Sequence, residues 1–467
     1  MSHEAEKRAM GAQTHLSGRA ASERAVKVPS VNMRLDARSL AAEVIARVLG
    51  DAAYGAAALH TSLERYANLD ERTRAFTTEL VYTTLRLQRS LLTRLEGYAP
   101  KGLPTDPLFL SHLLVAATQI LALDHRTSAV AVDVAVSNIR AVRGPKMAGF
   151  ANAVLRKLNA NRSSFDRAAA LRDACPQWLY DSFVKVVGQV EADRLLGIES
   201  GVDGDTWLQA KFPIALRVRT ACDIPQWLEA GTPGRLSPLC RIVQGVGDPR
   251  KLEGYAEGRF VIQEEGAQLI ALALGAKPGD RVLDACAGRG QKTTLLAEQV
   301  APNGVVCATD LHPRKLEALQ AELERLGLSG VTTASVDWSR GAGAVTEMFD
   351  KVLVDAPCTG TGTLRKRPEI GLRLKPEDPA RLGELQTAIL RNAAMRLRSG
   401  GTAVFAVCSV LEAEAEAVVA AVEDLLTPIP FVDDSAVSVF GEGQCMGRLL
   451  PGRHGTDGYF LAHLQRR

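Results

Sequence analysis

From Phe260 onward, short apolar runs alternate with amphipathic stretches, and few folds accommodate that alternation. Arg281-Val282-Leu283, Gly304 to Ala308, Val331 to Val336, Lys351 to Val354 and Thr402 to Val407 read as buried strands. Between them the spacing predicts helices near Lys292 to Val300, Pro313 to Leu326 and Pro379 to Leu397. Elements in this order build a doubly wound, mainly parallel α/β sheet with helices on both faces. Ligands of such sheets bind beyond the carboxyl ends of the strands, so those ends carry the functional argument.

The first strand runs into Asp284-Ala285-Cys286-Ala287-Gly288-Arg289-Gly290-Gln291-Lys292, a turn of small residues that opens a helix and lets backbone approach a ligand closely. It lacks the third glycine of the dinucleotide fingerprint. Asp310 ends the second strand, where a carboxylate can accept from both hydroxyls of a ribose; capping the helix from Pro313 is the competing role. Asp337 follows the third strand and Asp355 the fourth, and aspartates at successive strand ends point to one shared pocket rather than separate caps. Two cysteines occupy matching places, Cys358 in Asp355-Ala356-Pro357-Cys358 and Cys408 directly after the fifth strand. Either alone would read as packing. At the rim of one pocket they read as reactive, and a helix predicted to start near Leu411 would favour a thiolate at Cys408.

Residues 1–33 are polar, with little apolar periodicity, and are expected to form a disordered tail. Residues 34–172 follow a helical pattern throughout, with Val81, Leu85, Leu92 and Leu95 on one face and Gln88 as its polar interruption. The stretch Arg140 to Arg172 holds Arg140, Arg143, Lys146, Arg156, Lys157, Arg162, Arg167 and Arg172 against Asp166 alone, a face suited to phosphates. A merely solvated helix face is the alternative. Residues 173–259 mix helix-like pieces with alternating runs such as Ala215 to Arg219 and read as a small α+β connector; 260–467 form the α/β domain.

Charge alone does not identify a partner, because 56 basic residues face 53 acidic ones for a net charge of +3. The densest apolar run, His112 to Leu123, is broken by Thr118 and Gln119 and falls short of the ~20 residues of a membrane helix. No apolar signal core opens the chain, and the eight cysteines form neither a CxxC nor a His-rich cluster. A reduced, cytoplasmic protein with no metal and no membrane association is expected.

At these residues the sequence resembles the Nop/Sun family of RNA cytosine-5 methyltransferases, and within it the RsmB (Sun/Fmu) branch. Asp284 to Lys292 is similar to the family's DxCAAPGGK, Asp355 to Gly362 to its DAPCxGxG, and Ala406-Val407-Cys408-Ser409 to its xTCS, in the family's order. Leu449-Leu450-Pro451 and Asp457-Gly458-Tyr459-Phe460 are similar to its closing strands, and residues 34–172, with Phe150 to Arg156, to its NusB-like RNA-binding domain. The chain departs from the pattern at Gly288, usually Ala, at Arg289, usually Pro, at Gln291, usually Gly, at Val407, usually Thr, and at Ala415, where Asn is common.

The resemblance implies a multidomain protein: an all-α NusB-like N-terminal domain, the small α+β connector, and a C-terminal Rossmann-like S-adenosylmethionine-dependent methyltransferase domain. It implies methylation of carbon 5 of an unpaired cytosine in small-subunit (16S) ribosomal RNA, by a chain expected to act as a monomer. By resemblance Cys408 attacks carbon 6 of the base, Asp355 sits at the base edge, Lys292 assists electrostatically and Cys358 takes part in releasing the adduct. Cys286, Ala287, Gly288, Arg289, Gly290, Gln291 and Lys292 would hold S-adenosylmethionine, with Asp310 at the ribose, Asp337 at the adenine and Asp355 beside them. Arg140, Arg143, Lys146, Arg156, Lys157 and Arg162, with Arg365, Lys366 and Arg367 beside the pocket, would contact RNA phosphates. The same chemistry on transfer RNA or large-subunit RNA, and a non-catalytic RNA-binding assembly factor, remain open. Retention of Cys358, Cys408, Asp355 and Lys292 together counts against the factor, and a nicotinamide-dependent dehydrogenase explains neither cysteine.

Overall fold

Asp36 caps the helix Ala37–Gly50 by accepting the Ser39 N–H at 2.8 Å. It is also the first residue described in the computed structural model, which covers residues 36–66, 68–123, 128–162, 165–198 and 213–467. The tail expected over 1–33 lies outside the described residues. Two compact units emerge, one through Val81 and from Arg94 to Ser163, the other from Tyr82 to Thr93 and from Ser164 to Arg467.

The first unit is helical: Ala37–Gly50, Gly55–Arg65, both ends of Glu71–Glu96, Pro107–Ala122 and Ser128–Ala160. Pro107–Ala122 starts where Asp106 accepts the Phe109 N–H at 2.8 Å and Pro107 occupies the first turn. Nearly all its side chains are buried, as befits a helix packed on both Ala37–Gly50 and Ser128–Ala160. The densest apolar run is therefore core, and no helix among the described residues is long and apolar enough to cross a membrane. Ser128–Ala160 bends at Gly144 and Pro145, where a helix donor is missing. Along Glu71–Glu96, Val81, Leu85 and Leu95 are buried as expected, but Leu92 is only half-buried while Leu87 and Leu91 are buried. The buried stripe is broader than the predicted one.

In the second unit a small antiparallel sheet has the order β2-β3-β1-β4, formed by β1 (Ile214–Val218), β2 (Thr232–Pro233), β3 (Cys240–Val243) and β4 (Phe260–Ile262). Leu216, Val218, Leu228, Val243 and Phe260 make its core. Arg217, fully buried, donates to Gln263, Thr294 and Glu298 and so ties this sheet to the helix Gln291–Val300.

The large sheet contains β5 (Arg281–Asp284), β6 (Val305–Asp310), β7 (Val331–Ser335), β8 (Phe349–Asp355), β9 (Leu397–Val407), β10 (Leu426–Pro428), β11 (Met446–Leu449) and β12 (Tyr459–Arg466). Its order is β10-β12-β9-β8-β5-β6-β7, with β11 also on β12. Strands β5 to β9 are parallel and β12 runs antiparallel to β9, so the sheet is mixed. Alternate residues of the central strands face opposite helical layers: Val404 and Ala406 pack with Val282 and Leu461, Phe405 and Val407 with Val352 and Phe460. Chain order reverses beside β5, which has β6 on one side and β8 on the other, and this opens a crevice at the strand ends.

The expected helices are present as Gln291–Val300, Pro313–Leu326 and Asp378–Ala394. The helix expected near Leu411 is not. The chain there makes a 3-10 turn, Glu412–Glu414, and a short helix, Glu416–Ala420, separated by non-helical Ala415. Glu414 is turned fully inward, where it meets Thr359 and Ser409.

Candidate functional site

Strand β5 delivers Asp284 to the crevice, and the turn after it is fastened by Ala287 N–H to the Thr309 carbonyl at 2.8 Å. Gly290 then starts Gln291–Val300 in the left-handed region (φ 87°), and a Cβ there would overlap the Leu319 side chain. The space in front of Gly288 is open. Asp310, almost buried at the end of β6, accepts the Gly288 N–H at 3.1 Å, the His312 N–H at 2.8 Å and Lys315 Nζ at 3.2 Å. Asp310 thus braces the turn and is not the cap of Pro313–Leu326, whose N-cap is His312. Asp337 accepts from the Ser339 N–H and hydroxyl. Arg289 and Gln291 are exposed, and the Gln291 amide donates to the Ile262 carbonyl at 2.9 Å.

On the other side of the crevice, Lys292 Nζ lies 2.5 Å from Asp355 Oδ2 at the end of β8. Cys358 Sγ is 3.2 Å from Cys408 Sγ, which follows β9. The loop after Cys358 returns to the sheet through Gly362, whose N–H donates to the Cys408 carbonyl at 3.0 Å and whose carbonyl accepts the Gly458 N–H at 2.8 Å. A Cβ on Gly362 would overlap the Gly458 carbonyl, so the glycines of the two motifs are required by backbone-to-backbone packing. Beneath both cysteines, Glu414 accepts from the Thr359 N–H and hydroxyl, the Ser409 hydroxyl and the Gln386 amide.

The two thiols differ electrostatically. The hydrogen bond from Cys358, together with the charges of Lys292 and Arg367, lowers Cys408 against burial and Asp355. That same hydrogen bond, burial and the negative charges of Cys408 and Glu414 push Cys358 well up. The thiolate therefore belongs on Cys408 and the proton on Cys358, and the charge that favours the thiolate comes from Lys292 and Arg367 rather than from a helix end. Burial opposes the charge on Lys292, but Asp355 outweighs it and raises the amine. Asp284 is buried with Oδ1 unpartnered among the described residues, and burial pushes its carboxyl up to about 7. Cys286 is held up by burial and by Asp284, Asp355 and Asp310, so it stays a thiol.

Of the residues expected to meet RNA, Arg140, Arg143, Lys146, Arg156, Lys157 and Arg162 are exposed in the helical unit, where Arg143 also pairs with Asp106 at 2.8 Å. In the second unit Arg367 is exposed, whereas Arg365 donates to the Thr456 carbonyl and Lys366 pairs with Asp457 at 3.0 Å. Three residues with a part in the site were not found by sequence reasoning. Arg86 donates through Nε and Nη2 to the Arg365 carbonyl, and burial pushes it down to about 10. Tyr459, buried with its hydroxyl on Glu264, lies next to the Phe460–Val407 pair and so beside Cys408. The third is Glu414. Arg86 sits among Glu79, Arg89 and Arg94 on the same charged helix, so its sequence setting singles it out no more than that of Glu414 does.

Residues 271–465 match the family described as 16S rRNA methyltransferase RsmB/F, and residues 35–160 match the NusB family. The ribosomal RNA small subunit methyltransferase B of Thermus thermophilus is 33% identical over 407 residues, covering 85% of this chain and 89% of that protein. The probable ribosomal RNA small subunit methyltransferase B of Bacillus subtilis is 29% identical over 459 residues, 92% of this chain and 98% of that protein. Among solved structures, PH0851 superposes with a TM-score of 0.76 at 22% identity, over 92% of this chain and 98% of that one, a likeness of fold.

Proposed function

Because this chain belongs to the RsmB/F family of 16S rRNA methyltransferases, which use S-adenosylmethionine, we infer that it methylates carbon 5 of an unpaired cytosine in small-subunit ribosomal RNA. The observation that carries the chemistry is the 3.2 Å contact between Cys358 and Cys408 beside the Lys292–Asp355 pair. The residues suit the cofactor: open space fronts Gly288, and Asp310 stands at the end of β6. The turn from Cys286 to Lys292 with Asp310 and Asp337 would hold it, and when bound it supplies an electrophilic methyl group.

The remaining steps fall to side chains of the chain. Carbon 5 of cytosine is a weak nucleophile, and a duplex hides it, so the base must be unpaired or flipped out. The Cys408 thiolate adds to carbon 6, forming an S–C bond and driving an electron pair through the ring, which makes carbon 5 enamine-like. Asp355, paired with Lys292, holds a proton at N3 of the base. Once carbon 5 carries the methyl group, a water molecule takes its proton, the freed electron pair re-forms the ring double bond, and the bond to Cys408 breaks with its pair returning to sulfur. The Cys358 thiol, already hydrogen-bonded to that sulfur, assists its departure as thiolate.

Exposed Arg156, Lys157, Arg162 and Arg367 provide phosphate contacts in this reading. Cys408, Cys358, Asp355 and Lys292 all come from one chain, which favours a monomer, and a working thiolate with eight free cysteines favours a reducing, cytoplasmic setting. The test is transfer of labelled methyl from S-adenosylmethionine to small-subunit RNA, with bisulfite mapping of the product. One labelled unpaired cytosine is expected. Label confined to transfer or large-subunit RNA would overturn the substrate, and RNA binding with no label would leave an assembly factor.

A further inference from the structure

Glu414 is a fully buried carboxyl group whose contacts reach both cysteine loops. Its Oε1 accepts the Thr359 N–H at 2.7 Å and the Gln386 amide at 3.1 Å; its Oε2 accepts the Thr359 hydroxyl at 2.5 Å and the Ser409 hydroxyl at 2.6 Å. Thr359 directly follows Cys358, and Ser409 directly follows Cys408. Gln386, from Asp378–Ala394, also donates to the carbonyl of Pro357 at 3.0 Å, so Cys358 is gripped on both sides in sequence. The Thr361 and Ser409 hydroxyls, 3.0 Å apart, close the network. Burying a carboxylate is expensive, and an apolar residue would fill the same space without that cost. What an apolar residue could not do is accept from two loops at once.

We propose that Glu414 is a positioning residue for the cysteine pair, holding the residue after each cysteine and so setting where the two sulfurs stand. It touches neither substrate nor cofactor. Its charge also lies beside Cys358, on the opposite side of the pair from the groups that favour a thiolate at Cys408. The charged and titratable groups around the pair are Lys292, Asp355 and Arg367 near Cys408, Tyr459 across the strand, and Glu414 near Cys358. This inference rests on the reading that the pair carries the chemistry, and its test is independent of methyl transfer.

Full-length wild type, Glu414→Gln and Thr359→Val are treated with limiting iodoacetamide at neutral pH, and alkylation of each cysteine is mapped by mass spectrometry alongside melting temperature. Wild type alkylates Cys408 first. Glu414→Gln loses that preference by about tenfold, the equivalent of about one unit of relative pKa, and lowers kcat with little change in KM for RNA. Thr359→Val, which keeps the carboxylate and loses one of its donors, shifts the preference in the same direction by less. A folded Glu414→Gln with wild-type preference and kcat overturns the proposal; if that variant does not fold, wild-type preference in Thr359→Val overturns it. A wild-type chain that alkylates Cys408 first yet methylates no RNA would defeat the functional reading and leave the role of Glu414 standing.

Discussion

The sulfur of Cys358 lies 3.2 Å from that of Cys408, although fifty residues separate them in the chain. Their environments assign them different work: the cations Lys292 and Arg367 favour the thiolate of Cys408, while Glu414 favours the proton on Cys358. Loss of turnover cannot separate the two roles, but trapping can. Cys408→Ala is expected to form no covalent complex with RNA. Cys358→Ala is expected to attack and methylate but release slowly, leaving a denaturation-resistant protein–RNA band on a gel. The band appearing with Cys408→Ala alone would reverse the assignment.

Asp310 is expected to bind the cofactor ribose in addition to bracing the turn through Gly288 and His312. Asp310→Ala should weaken S-adenosylmethionine by a few kcal/mol at most, since charge-assisted hydrogen bonds are worth ~1.5–3 each. RNA affinity should barely move. Calorimetric titration of the folded variant decides: undiminished cofactor binding would confine Asp310 to its turn.

Replacing Arg156, Lys157 and Arg162 together, all exposed, should weaken RNA binding and flatten its dependence on salt. Every phosphate that the variant no longer neutralises should reduce the slope of log K against log salt by about 0.7 to 0.9. Binding isotherms at several salt concentrations measure it, and a slope equal to that of wild type would return these residues to a solvated face.

His112 is buried inside Pro107–Ala122 with Nε2 unpartnered among the described residues, and burial pushes its pKa down to about 4 from 6.5. The unfolded chain therefore binds a proton that the folded one refuses. Its contribution is fully present above pH 6.5 and is lost as pH falls toward 4. The loss amounts to roughly 3 kcal/mol, at about 1.4 per unit. His112→Leu should unfold less readily than wild type at pH 4.5 relative to its own stability at pH 7. Parallel denaturation curves at the two pH values would contradict this.

Strands β5, β6, β8 and β9 are legible because each holds a short apolar run, whereas nothing of that kind marks β10 (Leu426–Pro428); Pro313–Leu326 is legible because Pro313 opens it and left-handed Gly327 closes it. The strand-end residues follow from the topology, since every parallel strand delivers its last residue to the same crevice. The stretch after Cys408 misleads: in sequence, Glu412 to Glu416 is an ordinary polar helix start. Besides nearby Ser409, the groups that hold Glu414 inward are Thr359, 55 residues away, and Gln386, and no local pattern encodes those contacts. Arg365 and Lys366 illustrate the same limit. A basic triplet beside a pocket suggests phosphate, but Asp457, more than ninety residues later, takes up Lys366 and lies near Arg365.

Residues Tyr82 to Thr93 lie in mid-helix, yet they belong to the compact unit that contains the large sheet. No single cut in the chain can therefore liberate that unit whole. A gene divided at codon 164 would encode a downstream product lacking Arg86, and with it both donors to the Arg365 carbonyl. Recombination that exchanged the upstream portion for another would have to bring a compatible helix along. The two units are interleaved along the chain, and an exchange of one must respect the helix segment that the other contains.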